Sequence, residues 1–213
     1  MNNSTARKNP YIIGRPIHES AKFFGRESLF QFIEDNLSLD KKVILLHGQR
    51  RIGMSCVLQQ IPNKVAQDKF AFVLFDLQGY SESPLSHTLY NLAEEIASQL
   101  ELNSDIVTPL SDEELKNNPD IFSNEFIPKV FQELGEKNLV LLLDEFDVVS
   151  GDNDIINQSA GFLKYLQLLI NKHNKLFIIL LVGRFKDDLQ NLIDLFKGAP
   201  LQEVGLLDEL SAR

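Results

Sequence analysis

Gly48, Gly53 and Ser55 stand at the spacing of a loop that can wrap an anion. The segment reads Gly48-Gln49-Arg50-Arg51-Ile52-Gly53-Met54-Ser55-Cys56 and matches the pattern G-x-x-x-x-G-K-[ST] except at one position. Glycines let successive N–H groups turn inward toward phosphate oxygens. A helix expected from roughly Gly53 to Ile61 would add the positive end of its dipole. Ser55 offers a hydroxyl to Mg2+. The lysine of the pattern reaches the β- and γ-phosphates; Met54 has similar length but neither charge nor donor. A hydrogen bond to a charged group contributes about 1.5–3 kcal/mol, roughly 10- to 150-fold in affinity. Cleavage should suffer at least as much, because the transition state carries charge at the same place.

A second constellation lies about 90 residues further on. The run Leu139-Val140-Leu141-Leu142-Leu143 ends in Asp144-Glu145. Asp144, at the carboxyl end of a buried strand, would hold the Mg2+ shell beside Ser55, and Glu145 would orient and polarise an attacking water. Asp147 reads as a solvated turn residue. Asp76 and Gln78 end another strand, where packing or turn roles are expected of them. His18, His47, His87 and His173 show no metal-ligand spacing.

These residues need a scaffold that brings several strand ends together. Short continuous apolar runs at Val43–Leu46, Ala71–Phe75, Leu139–Leu143 and Leu176–Val182 predict strands buried on both faces, with a weaker fifth near Gln202–Leu207. Helical spacing fills the gaps. Leu29, Phe30, Ile33 and Leu37 share one face of a helix expected over Glu27–Leu37. Leu85, Leu89, Leu92, Ile96 and Leu100 follow an expected cap at Ser83 with Pro84 in the first helical position. Val130, Phe131 and Leu134 mark a helix stopped by Gly135. Phe162, Leu166, Leu169 and Ile170 mark another, and Leu189, Leu192, Ile193 and Phe196 a last one, ended by Gly198 and Pro200. The acidic stretch from Glu101 to Pro119 reads as a surface loop or short helix. Alternating strands and helices predict an α/β fold, a parallel sheet covered on both faces.

With both motifs in place, the sequence resembles the STAND-type ATPases, a branch related to the AAA+ proteins. The likeness is to the bacterial group whose domain opens with a Phe-Gly-Arg-Glu segment and carries Gly-Gln-Arg-Arg-x-Gly-Lys-Ser in its phosphate loop. The opening segment here is Phe24-Gly25-Arg26-Glu27, which the resemblance places over the adenine. The fourth strand ends Leu181-Val182-Gly183-Arg184, and the resemblance gives Arg184 the sensor position that reads the γ-phosphate. It implies a three-layer P-loop NTPase fold with five parallel strands in the order 5-1-4-3-2, binding ATP or ADP with Mg2+. Residues 1–22, polar at first and then broken by Gly14 and Pro16, read as an N-terminal arm, and 23–213 as the nucleotide-binding core. A helical lid would begin just after Leu207-Asp208-Glu209-Leu210, so the lid is expected to lie outside this chain, as in a fragment of a longer protein. Flanking effector and sensor domains, and homo-oligomerisation of the full-length protein, are expected as partners. Residue 54 departs from the family. The expectation is a module that binds nucleotide weakly and hydrolyses it poorly. The alternatives are an active ATPase switch whose lysine role is supplied elsewhere, with Arg50 and Arg51 as the nearby charges, and a pseudo-NTPase interaction scaffold.

Bulk properties agree with this picture. The 213 residues suffice for one domain with a sizeable core. A formal charge of −9, with Lys and Arg scattered, disfavours a nucleic-acid surface. The single cysteine, Cys56, fits a reducing compartment. The polar N-terminus lacks a signal-peptide core, and the apolar runs are strand-sized rather than membrane-spanning. A cytoplasmic location is expected.

Overall fold

The computed structural model describes residues 25–49, 51–66, 68–80, 83–145, 156–183 and 190–206. Along the chain come α1 (Glu27–Ser38), β1 (Val43–His47), α2 (Met54–Lys64), β2 (Phe70–Asp76), α3 (Leu85–Gln99) and α4 (Asp112–Asn117). A π-helical turn (Phe122–Phe126) then leads into α5 (Ile127–Leu134), followed by β3 (Asn138–Asp144), α6 (Ile156–Lys172), β4 (Leu176–Val182), α7 (Gln190–Leu195) and β5 (Leu201–Glu203). The five strands form one sheet in the order β2-β3-β4-β1-β5, and every neighbouring pair is parallel. This is the expected 5-1-4-3-2 order read from the other edge.

Alternate residues of a strand point to opposite faces, so a run that is apolar throughout needs cover on both sides. Here Ile44, Leu46, Val140, Leu142, Phe177, Ile179 and Leu181 pack against α1 and α2. Val43, Leu45, Leu139, Leu141, Leu143, Ile178 and Leu180 pack against α3, α5, α6 and α7. The result is a three-layer α/β sandwich whose core is split by the sheet. All seven residues of β4 and all five of β1 are buried. On the free edge of β2, the Gln99 carboxamide bonds both backbone groups of Leu74, at 2.8 and 2.7 Å. That pairing occupies part of an edge otherwise open to another strand.

Local signals fixed most element ends. Gly135, with φ 60°, ends α5, and Gly198, with φ 81°, follows α7. The start of α3 differs from the expectation by one residue. Pro84 takes the N-cap position in an extended conformation, its carbonyl accepting from Thr88 N–H at 3.1 Å, and the helix begins at Leu85. The acidic stretch after α3 contains α4, opened by a capping box between Ser111 and Glu114. It is not purely a surface segment, because Val107 and Leu115 are buried. Among the described residues no helix is long and apolar enough to cross a membrane.

The π-helical turn was not legible in the sequence. It places Ser123 Oγ 3.0 Å from His173 Nε2 in a buried pair, with Phe131 packed beside the imidazole. Burial lowers the His173 pKa below its ordinary value, and the Lys172 charge lowers it further. Such a histidine takes up its proton more readily in the unfolded chain. Stability should therefore hold above about pH 6.5, the unfolded value, and fall as the pH drops through the window below it. Urea titrations from pH 7.5 to 5 should show this loss, and His173→Gln should flatten it.

The short strand β5 is held tightly to β1. Beyond its end, Val204 N–H donates to His47 O at 2.7 Å. A Cβ built on Gly48 would lie 2.8 Å from the Val204 carbonyl oxygen. Gly48→Ala should therefore force these two backbones apart and lower stability by about 1–3 kcal/mol, measured by urea unfolding.

Candidate functional site

In an open parallel sheet, ligands bind outside the carboxyl ends of the strands. The motif residues described here gather at that edge. His47 closes β1 and is buried. Gly48 N–H donates to Val182 O at the end of β4, at 3.3 Å. The loop from Gly48 therefore starts from a point fixed by strands on both sides. Ile52 N–H donates to Gln49 O at 3.4 Å, a turn within the loop, and Val57 N–H donates to Gly53 O at 3.1 Å, the first bond of α2. The opening N–H groups of a helix have no acceptor within it, so this end of α2 faces the loop as a donor surface with a positive dipole.

The two glycines are needed for different reasons. Gly53 has φ 90°, a conformation few other residues accept, and nothing lies within 4 Å of the place its Cβ would take. Gly48 has no positive φ. Its constraint is space, since a side chain there would meet Val204 and the Met54 sulfur. The spacing of the two glycines suggests conformational freedom at both; at Gly48 the requirement is close packing instead. Arg51, at φ 67°, is a non-glycine in the left-handed region, at a cost of about 1–2 kcal/mol. Alternating right- and left-handed residues shape the concave row of N–H groups that accepts anions.

Met54 opens α2. Its sulfur would lie 3.1 Å from a Cβ on Gly48, and its side chain packs with Ile52 against the core layer between the sheet and α1–α2. The side chain is thus folded back onto the start of the loop. Ser55 and Cys56 follow on the first turn and are half-buried. Arg26 reaches in from the start of α1: its guanidinium donates to Ile52 O at 2.8 Å. Burial lowers its pKa below the ordinary guanidinium value, and nearby Cys56 pulls the other way.

Asp144 ends β3, half-buried, beside Asp76 in the register of β2. Its Oδ1 accepts from Glu145 N–H at 2.8 Å, and its carbonyl accepts from Leu77 N–H at 3.1 Å. Glu145 takes φ 51°, so the chain turns sharply as it leaves the strand. Because β4 lies between β3 and β1, Asp144 and the loop are separated laterally by two strand spacings, about 10 Å. Asp76 Oδ1 accepts from Gln78 N–H at 2.8 Å, the turn role expected of that pair. Phe24, Arg50, Asp147 and Arg184 lie outside the described residues.

The residues fit a magnesium nucleotide in kind. Mg2+ takes one or two protein oxygens and fills its shell with phosphate and water, which Ser55 and Asp144 can provide. No cluster of three His, Cys, Asp or Glu exists among the described residues. A separate groove of about 640 Å3 opens at the opposite edge, between Lys42, Val43 and residues 194–199. None of the motif residues lines it, and it sits at the amino ends of the strands, the wrong end for a parallel-sheet ligand site. The contact of Arg26 with the loop was not foreseen. The Phe-Gly-Arg-Glu segment marked this arginine, but only the fold showed what it touches.

Comparison with known proteins separates fold from family. No family model matches the chain, and no curated protein matches it. Among solved structures, a Walker-type ATPase of Pyrococcus abyssi is similar over 92% of this chain and 58% of its own, at 21% identity and a TM-score of 0.63. The ORC2 protein of Aeropyrum pernix, in its ADPNP and ADP complexes, is similar over 84% of this chain and 46% of its own, at 13% identity and 0.52. The ORC1 protein of the same organism, in complex with DNA, is similar over 89% and 47%, at 13% and 0.51. The chain thus spans about half the length of these proteins. At such identities the likeness bears on fold alone.

Proposed function

We propose that this chain is the ATP-binding module of a regulatory, STAND-type ATPase, gripping nucleotide weakly and hydrolysing it poorly. The observation that carries this reading is Met54: it stands where the phosphate-gripping lysine belongs, and its uncharged side chain is folded onto Gly48 and the core. The rest of the loop keeps an anion-accepting form. Gly53 and Arg51 hold the left-handed positions, and α2 points its N-terminus at the site.

In this reading the loop N–H groups from Gly48 to Ser55, with Gln49, Arg50, Ile52 and Cys56 in the same segment, cradle the α- and β-phosphates. Phe24, Gly25 and Arg26 lie on the adenine side. Ser55 and Asp144 hold Mg2+, which neutralises phosphate charge when bound. Glu145 accepts a hydrogen bond from the attacking water, and Arg184 reads the γ-phosphate. The formal charge of −9, with Lys and Arg scattered along the chain, disfavours a nucleic-acid partner. The flanking effector and sensor domains of the resemblance belong to the same proposal.

Titration calorimetry with Mg-ATP, on the chain and on Met54→Lys, tests it. The lysine should tighten ATP by about 10- to 150-fold, the range of one charged hydrogen bond, and raise hydrolysis at least as much. Equal affinity and equal turnover in both forms would show the lysine's role supplied elsewhere. Absence of binding in both would remove the nucleotide reading.

A further inference from the structure

The turn before α1 is unusual for the start of a helix. Gly25 and Arg26 have φ 78° and 69°, so two consecutive residues sit in the left-handed region. Arg26 occupies the N-cap position without a capping side-chain bond, while its carbonyl accepts from Leu29 and Phe30 N–H. Strain of this kind persists where surrounding contacts over-determine it, and the honoured contact here is identifiable. The Arg26 guanidinium donates to Ile52 O at 2.8 Å across 26 residues of sequence. Ile52 lies between the two left-handed residues of the loop, Arg51 and Gly53. A bond to that one carbonyl therefore fixes the peptide between them, and with it the direction of the Gly53 N–H.

We propose that Arg26 is a positioning residue that holds the phosphate loop in its anion-accepting form through the Ile52 carbonyl. The proposal rests on the nucleotide reading above and deepens it. Met54 leaves the loop without a lysine that could order it around the terminal phosphates. The backbone cradle then carries the recognition, and that cradle serves the α- and β-phosphates common to di- and triphosphates. Anything that acts through the cradle should affect ADP and ATP alike. A direct contact to the terminal phosphate would affect ATP alone.

Arg26→Met keeps the length and packing of the stem and removes the donor, whereas Arg26→Lys restores a donor and a charge. Hydrogen exchange on the nucleotide-free protein reads the loop directly. Amides of residues 48–56 should exchange about tenfold faster in Arg26→Met, with recovery in Arg26→Lys and no change in β3, the control for global destabilisation. Calorimetry should show Mg-ADP and Mg-ATP weakened by the same factor, about tenfold for one charged hydrogen bond, again recovered by lysine. Unchanged loop exchange in Arg26→Met, or weakening of ATP alone, would overturn the positioning role. If neither nucleotide binds any form, Met54→Lys included, the proposed function fails and the exchange result alone decides the role of Arg26.

Discussion

Strand β1 is the fixed point on which the rest of the structure depends. It pairs with β4 on one side and β5 on the other, and helical layers cover both of its faces. Its last residue, His47, is buried, and the next two tethers run to strands on opposite sides: Gly48 N–H to Val182 O and Val204 N–H to His47 O. A loop leaving such a strand starts from a defined position and direction. The donor groups of the loop and of α2 are thus oriented by the fold itself, the kind of preorganisation that lowers the ordering cost of holding an anion.

Backbone strain collects around the same edge. Of the five described non-glycine residues with positive φ, Arg26, Arg51 and Glu145 belong to the turn, the loop and the strand end that surround it. Asp40 and Glu101 are the others, each just past the end of a helix. Helix ends accept left-handed residues routinely. Those around the loop have no such local excuse, and each redirects the chain so that a named group meets the site: the Arg26 guanidinium, the Ile52–Gly53 peptide, and the Glu145 N–H against Asp144. The charges around the loop are unevenly supplied. Residue 54 of the loop is apolar and packs against the core, while a guanidinium bond to the loop backbone comes from Arg26 at the start of α1.

Much of this architecture was legible beforehand. Apolar runs too long for an alternating pattern announced strands buried on both sides, and β4 has the expected bounds. The spacing of Leu29, Phe30, Ile33 and Leu37 marked the buried face of α1, and all four are buried. What escaped notice depended on neighbours far away in sequence. The π-helical turn is stabilised by packing against α6 and by the Ser123–His173 contact, 50 residues apart. The extended conformation of Pro84 moved a helix start by one residue, a distinction that composition does not carry.

The sequence by itself determined the layering, the strand set, the glycine at 53 that a left-handed φ demands, and the absence of a cation at 54. These are properties of periodicity and residue type, and they survive in any arrangement of the chain. Tertiary structure alone decided why residue 48 must be glycine, where the Met54 side chain rests, and which carbonyl Arg26 grips. Each of those depends on strands and turns that are distant in sequence and adjacent only once β5, β1 and β4 are paired and α1 is packed on the sheet.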